Sequence, residues 1–136
     1  MADLEKLSII IDEIKTYLAR LENIKIKSEK DLDDLKFDAV SMIIFSAMNK
    51  TIDLAEEVVK IKNLGMPFKY RDLFEFLEKE KIISKRRKDK LFDLTIMRNN
   101  LTHRYDKITK AKLIHTIRDM KEIKEFAEDI MRYFRK

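Results

Sequence analysis

A chain of 136 residues with a single glycine, Gly65, and a single proline, Pro67, has almost no means of making tight turns. Hairpins need residues of positive φ or a fixed proline ring at their reversals, so many short strands are disfavoured here. Long helices joined by a few loops remain. Apolar residues make up 45% of the chain and charged residues 40%, enough to fill one core and to coat it. The expectation is an all-α, antiparallel bundle of four to five helices, one domain over residues 1–136.

The apolar spacing places the helices. Leu4, Leu7, Ile11, Ile14, Leu18 and Leu21 alternate steps of three and four and draw one stripe on a first helix over about 3–23. That stripe suits bundle packing or a partner helix. A second helix, over about 32–61, carries the run VSMIIFSAM (40–48), apolar nearly all round, and is the central one. Ser28 with Asp31, or the cluster Asp31 to Asp34, supplies its capping oxygens. Gly65 fits the left-handed residue after it, and Pro67 prevents its resumption. A shorter helix follows from Tyr70 to about Glu80, with Leu73, Phe74 and Leu77 inward. Ser84 caps a fourth, and Thr109 caps one last helix through Phe134.

Cysteine is absent, which excludes disulfides, thiolate metal sites and a cysteine nucleophile, and fits a reducing cytoplasm. No apolar run reaches ~18 residues, and the acidic, amphipathic N-terminus does not read as a signal peptide. A cytoplasmic location is therefore expected. Charge is uneven: residues 1–59 carry 8 basic and 13 acidic side chains, whereas residues 60–112 carry 16 and 7. A basic segment of this kind points to a polyanionic partner, or else to a solvated basic helix face.

The segment Met97-Arg98-Asn99-Asn100-Leu101-Thr102-His103-Arg104-Tyr105 gathers polar and ionisable groups at the end of a helix that is otherwise core-forming. With Arg98 at zero and about 100° per residue, Thr102 lies near ~40°, Asn99 near ~100° and His103 near ~140°. Tyr105 returns to within about 20° of Arg98 if the helix persists. Phe92 and Ile96 share His103's azimuth, an apolar patch suited to cover by another protein. Histidine exchanges protons near neutral pH. Arginine is a permanent cation whose fork binds phosphate and neutralises charge growing on it. Asn99, one turn before His103, is placed to orient the imidazole or the phosphate.

This set suits cleavage of a phosphodiester. No Asp/Glu/His cluster of metal-ligand spacing accompanies it, so neither metal nor cofactor is expected. The RNA 2′-hydroxyl as internal nucleophile is the simplest route. One histidine serves poorly as both base and acid, and a two-fold dimer bringing both His103 residues into one cleft would answer that. On spacing alone the same residues also fit structural roles, with Asn99 as a helix-end hydrogen bonder and Tyr105 as a bundle-edge aromatic.

At these residues the chain resembles the HEPN superfamily, specifically the HepT-like toxins that pair with a minimal nucleotidyltransferase antitoxin. The family motif of Arg, four residues, His, one residue and Tyr stands here as R-N-N-L-T-H-R-Y, from Arg98 to Tyr105. Upstream, M-P-F-K-Y-R-D-L-F-E-F-L (66–77) resembles the segment that precedes that motif. The likeness covers about residues 35 to 130. It implies a homodimer whose composite cleft holds Arg98 and His103 of both subunits as catalytic residues, with Asn99 and Thr102 supporting them. It implies metal-independent endoribonuclease action on an RNA such as tRNA or mRNA. It also implies that the antitoxin neutralises the toxin by attaching AMP to Tyr105.

Arg104, Lys107 and Lys110 flank the motif and are candidates for RNA phosphates. Arg86 and Arg87, in the run Ser84 to Lys90, are weaker candidates, since that run also reads as a solvated helix start. His115 reads as a surface or core-edge residue. The alternative to a nuclease is a non-enzymatic interaction or nucleotide-binding subunit of a nucleotidyltransferase, docking through the Arg98 to Tyr105 face.

Overall fold

The structure, a computed structural model, describes residues 2–135. Its α-helices are α1 (Ala2–Ile24), α2 (Asp34–Lys62), α3 (Tyr70–Lys79), α4 (Lys85–His103), α5 (Lys110–Asp119) and α6 (Lys121–Phe134). Short 3-10 turns occupy Glu29–Asp31 and Tyr105–Lys107. Among the described residues there is no strand. The all-α expectation holds.

Two boundaries differ from the sequence reading, each for a local reason. Asp33 caps α2 by accepting from the Lys36 amide at 2.8 Å, so α2 begins after the buried Leu32. The Ser28–Asp31 pair closes the 3-10 turn ahead of it, where Asp31 accepts from the amides of Lys27 and Ser28. The expected last helix is two. At Met120 the hydrogen bonds tighten to i→i−3, Met120 N to Ile117 O at 3.2 Å and Ile123 N to Met120 O at 3.1 Å. That pattern interrupts an α-helix. The residue of left-handed conformation after α2 is Asn63 (φ 53°), not Gly65, whose φ of 150° serves the following loop instead.

The core forms where the apolar faces meet. Leu7, Ile11 and Ile14 of α1 pack with Ile44, Met48 and Leu54 of α2, all buried. Phe74 of α3 meets Phe126 of α6 edge-on at 6.0 Å and Phe92 of α4 at 6.5 Å. Each edge-to-face pair adds ~1 kcal/mol beyond area burial. Leu91, Leu94 and Met97 anchor α4 from within, which fixes the azimuth of the polar residues after them. Among the described residues no helix is long and apolar enough to cross a membrane.

Candidate functional site

The helix α4 supplies the platform and α2 the support. Ser84 starts α4 by accepting from the Arg87 amide at 3.1 Å. Buried Thr95 folds its hydroxyl onto the Leu91 carbonyl, so nothing polar is left open on the inner face. The helix stops after His103. Arg104 leaves helical conformation at φ −141°, ψ 40°, while its amide still donates to the Asn100 carbonyl.

Arg98 is held on three sides. Its Nε donates to Asn49 Oδ1 at 2.8 Å and its Nη1 to Asn99 Oδ1 at 3.2 Å. The guanidinium carbon lies 5.1 Å from the Phe45 ring centre and 5.4 Å from that of Tyr70. Two aromatic faces and an amide thus fix the plane of the fork, and its remaining N–H groups are left to bind an anion. His103 is exposed on the last turn of the same helix, and Asn99 is exposed one turn before it. Thr102 turns its hydroxyl back to the Arg98 carbonyl at 3.3 Å, a local bond rather than a reach outward.

Tyr105 is not where an unbroken helix would carry it. It sits in the 3-10 turn and reaches across to α2, where its hydroxyl donates to Asp38 Oδ1. Its ring meets Phe37 edge-on at 5.8 Å. Burial, and then the hydrogen bond to Asp38, push its phenol above the ordinary value of 10.0. A cavity of about 420 Å³ opens beside it, lined by Asp38, Ser41, Met42, Phe45, Leu101 and Thr102 together with Tyr105 itself.

A model of the family described as ribonuclease HepT-like matches residues 9–130. The chain belongs to this HepT-like ribonuclease family. Solved structures agree on the fold. A toxin–antitoxin complex with AMP-PNP is similar at a TM-score of 0.86 and 21% identity, over 93% of this chain and 97% of that one. The tri-AMPylated HEPN toxin of Shewanella oneidensis, in complex with its MNT antitoxin, is similar at a TM-score of 0.85 and 22% identity, over 93% and 96%. YutE of Bacillus subtilis, a cytosolic protein of unknown function, is similar at 0.84 and 18%, over 96% and 90%. No curated protein sequence matches.

The basic residues of this HepT-like chain divide in two. Arg104, Lys107 and Lys110 are exposed around the turn that follows the motif. The run at the start of α4 instead ties helices together. Arg87 binds Glu122, Glu125 and Asp129 of α6, and Arg86 binds Glu122 at 2.9 Å. Lys88 reaches Glu78 at 2.8 Å. Arg87 is thereby withdrawn from the candidates for RNA, and Arg86 is largely committed, because their fork N–H groups already meet carboxylates. His115 is exposed and lies 3.4 Å from Asp119, a surface role. Among the described residues no three His, Asp or Glu side chains come together as a metal-binding group.

Sequence reasoning missed the partners on α2. Asn49 follows directly on the apolar run 40–48, and a carboxamide there was the signal for a buried-side acceptor. Asp38 carried no such signal, since the turn that brings Tyr105 to it is not encoded in a helical period.

Proposed function

We propose that this chain is a metal-independent endoribonuclease that acts in the cytoplasm as a homodimer, with Arg98 and His103 of both protomers in one cleft. The observation that carries the reading is the guanidinium of Arg98, clamped by Asn49, Phe45 and Tyr70 on the helix whose last turn presents His103, in a chain of the HepT-like ribonuclease family. A preorganised cation stabilises a phosphorane-like transition state without reorganisation at the moment of reaction. One His103 takes the proton of the RNA 2′-hydroxyl, whose oxygen attacks the adjacent phosphorus. The bond from phosphorus to O5′ breaks, and the other His103 protonates the leaving oxygen. The products are a 2′,3′-cyclic phosphate and a 5′-hydroxyl. Asn99 supports Arg98, Thr102 shapes the wall, and Arg104, Lys107 and Lys110 hold flanking phosphates.

In this reading a cognate nucleotidyltransferase antitoxin transfers AMP from ATP to the Tyr105 hydroxyl and releases pyrophosphate. The similarity to a toxin that is AMPylated in complex with its antitoxin supports it. The added phosphate brings negative charge next to the cleft and repels RNA. The test is to incubate the purified chain, shown by intact mass to carry no AMP, with total tRNA and chelator beside His103→Ala. Cleavage by the wild type alone is expected. Cleavage by His103→Ala at the wild-type rate overturns the mechanism, and silence from both proteins moves the assignment to a non-enzymatic docking subunit.

A further inference from the structure

The loop between α2 and α3 holds a phenylalanine almost entirely in solvent. Phe68 is 91% exposed, although leaving such a ring in water forgoes ~2 kcal/mol of burial. The loop is nonetheless fixed. The amides of Phe68 and Lys69 both donate to Asp72 Oδ2, at 2.8 and 3.1 Å, in a capping arrangement at the start of α3. Pro67 immediately before restricts the backbone further. The ring is therefore presented rather than frayed.

Its surroundings combine aromatic rings with charged side chains. A cavity of about 570 Å³ lies between this loop and α4, lined by Phe68, Tyr70, Lys69, Arg71, Glu56 and Asn99. That volume is in the range of small-ligand sites, ~300–1,000 Å³. Tyr70 is shared, because the Arg98 guanidinium lies over its ring, and Asn99 is shared, because it accepts from Arg98. Lys69 and Arg71 line the cavity with the carboxylate of Glu56, and Arg98 adjoins it through the Tyr70 ring, while the Asp72 carboxylate is taken up by the loop amides. Aromatic faces interleaved with cations match a polyanion whose units carry π-faces, which is single-stranded nucleic acid. A carboxylate on the wall suits the amino group of a base.

We infer that Phe68 and Tyr70 form a stacking platform for an unpaired base of the RNA, next to the phosphate that Arg98 holds. The inference rests on the ribonuclease reading above and narrows its substrate to RNA that is single-stranded at the cleavage site. A duplex keeps its bases stacked inside and cannot use the platform.

The test separates binding from cleavage by working in His103→Ala. Binding of a fluorescein-labelled single-stranded oligoribonucleotide is followed by anisotropy, with the same RNA annealed to its complement as control. Phe68→Ala should weaken single-strand binding about tenfold or more, the loss for one base stack. Phe68→Trp should preserve it, Phe68→Leu should not, and duplex binding should be the same in all. Equal binding by Phe68→Ala, or full rescue by Phe68→Leu, overturns the platform while the ribonuclease reading stands. A change of oligomeric mass in Phe68→Ala also overturns it, since Phe68 would then pack on a second copy. Absence of RNA binding in the parent His103→Ala protein sinks the ribonuclease reading and the platform with it.

Discussion

The Nε of Arg98 on α4 donates a 2.8 Å hydrogen bond to Asn49 Oδ1 on α2. This bond joins the motif helix to the central helix and sets the rotation of the guanidinium about its aromatic contacts. Asn49→Ala leaves that N–H to water and lets the fork turn. Misplacement of a positioned cation costs up to ~100-fold in rate, so tRNA cleavage by Asn49→Ala should fall by about tenfold to 100-fold with an unchanged circular dichroism spectrum. Arg98→Lys should lose at least as much, since an ammonium has no planar fork to lie on Phe45 and Tyr70. A wild-type rate in Asn49→Ala would remove Asn49 from the site.

Tyr105 and Asp38 make a second link between the motif and α2. Tyr105→Phe keeps the ring against Phe37 but cannot donate to Asp38, and it cannot receive AMP. On the function proposed above, the variant should cleave RNA and resist silencing by a cognate antitoxin, with a stability loss of ~1 kcal/mol or less for one exposed-side hydrogen bond. The phenol of Tyr105 is raised above 10.0 in the folded chain, first by burial and then by Asp38. A raised value means that its stabilising contribution is complete below about pH 10, where the unfolded phenol titrates, and is lost as pH rises through the folded value. Wild type should therefore lose more stability than Tyr105→Phe as pH rises above about 10 in denaturant melts. Parallel alkaline curves would contradict this.

How far the sequence could be read depended on whether a contact was local. The apolar period placed α1 to α4, and caps placed the starts of α4 and α5, because Ser84, Thr109 and the apolar stripes act within a few residues of themselves. Arg98, Asn99 and His103 were legible as one motif for the same reason. The break at Met120 was not, since no proline or glycine marks it and the apolar pattern runs through. Tyr105 was misplaced because its position depends on where α4 stops, and Arg104 offers no stop signal of its own. The sequence offers Arg87 only as a weak RNA candidate or a solvated residue, and its ion-paired role is not legible there because its partners, Glu122, Glu125 and Asp129, lie more than thirty residues away.

Gly65 governs the loop that carries Phe68. It holds φ 150°, and a Cβ built there would lie 2.8 Å from Cζ of Phe76, with two further ring atoms at 3.1 and 3.2 Å. Gly65→Ala thus strains the backbone and pushes the half-buried Phe76 ring. A destabilisation of ~1–3 kcal/mol is expected from the strained φ alone. The displaced loop should also weaken RNA binding. Chemical melts and anisotropy on the same protein check both effects, and a variant as stable as wild type would contradict the strain.

Glu122 offers the clearest acid-dependent prediction. Its side chain is buried in α6, yet it accepts from Arg86 at 2.9 and 3.2 Å and pairs with Arg87. Burial alone would push its carboxyl up. The Arg86 hydrogen bonds and the charges of Arg87 and Arg86 outweigh burial and hold it below the ordinary value of 4.5. A depressed value means that the stabilisation is present above about pH 4.5 and is lost as pH falls through the folded value. Glu122→Gln keeps the shape but leaves two arginines facing a neutral amide. Arg87 keeps Glu125 and Asp129 as partners and Arg86 faces solvent, so the loss is that of charge-assisted hydrogen bonds, ~1.5–3 kcal/mol, or roughly 5–10 °C in Tm for a domain of this size. The gap between wild type and Glu122→Gln should be full at pH 7 and should narrow below about pH 4.5 as wild-type Glu122 protonates. A gap that stays constant across that range would mean that Glu122 holds α4 to α6 by packing, not by charge.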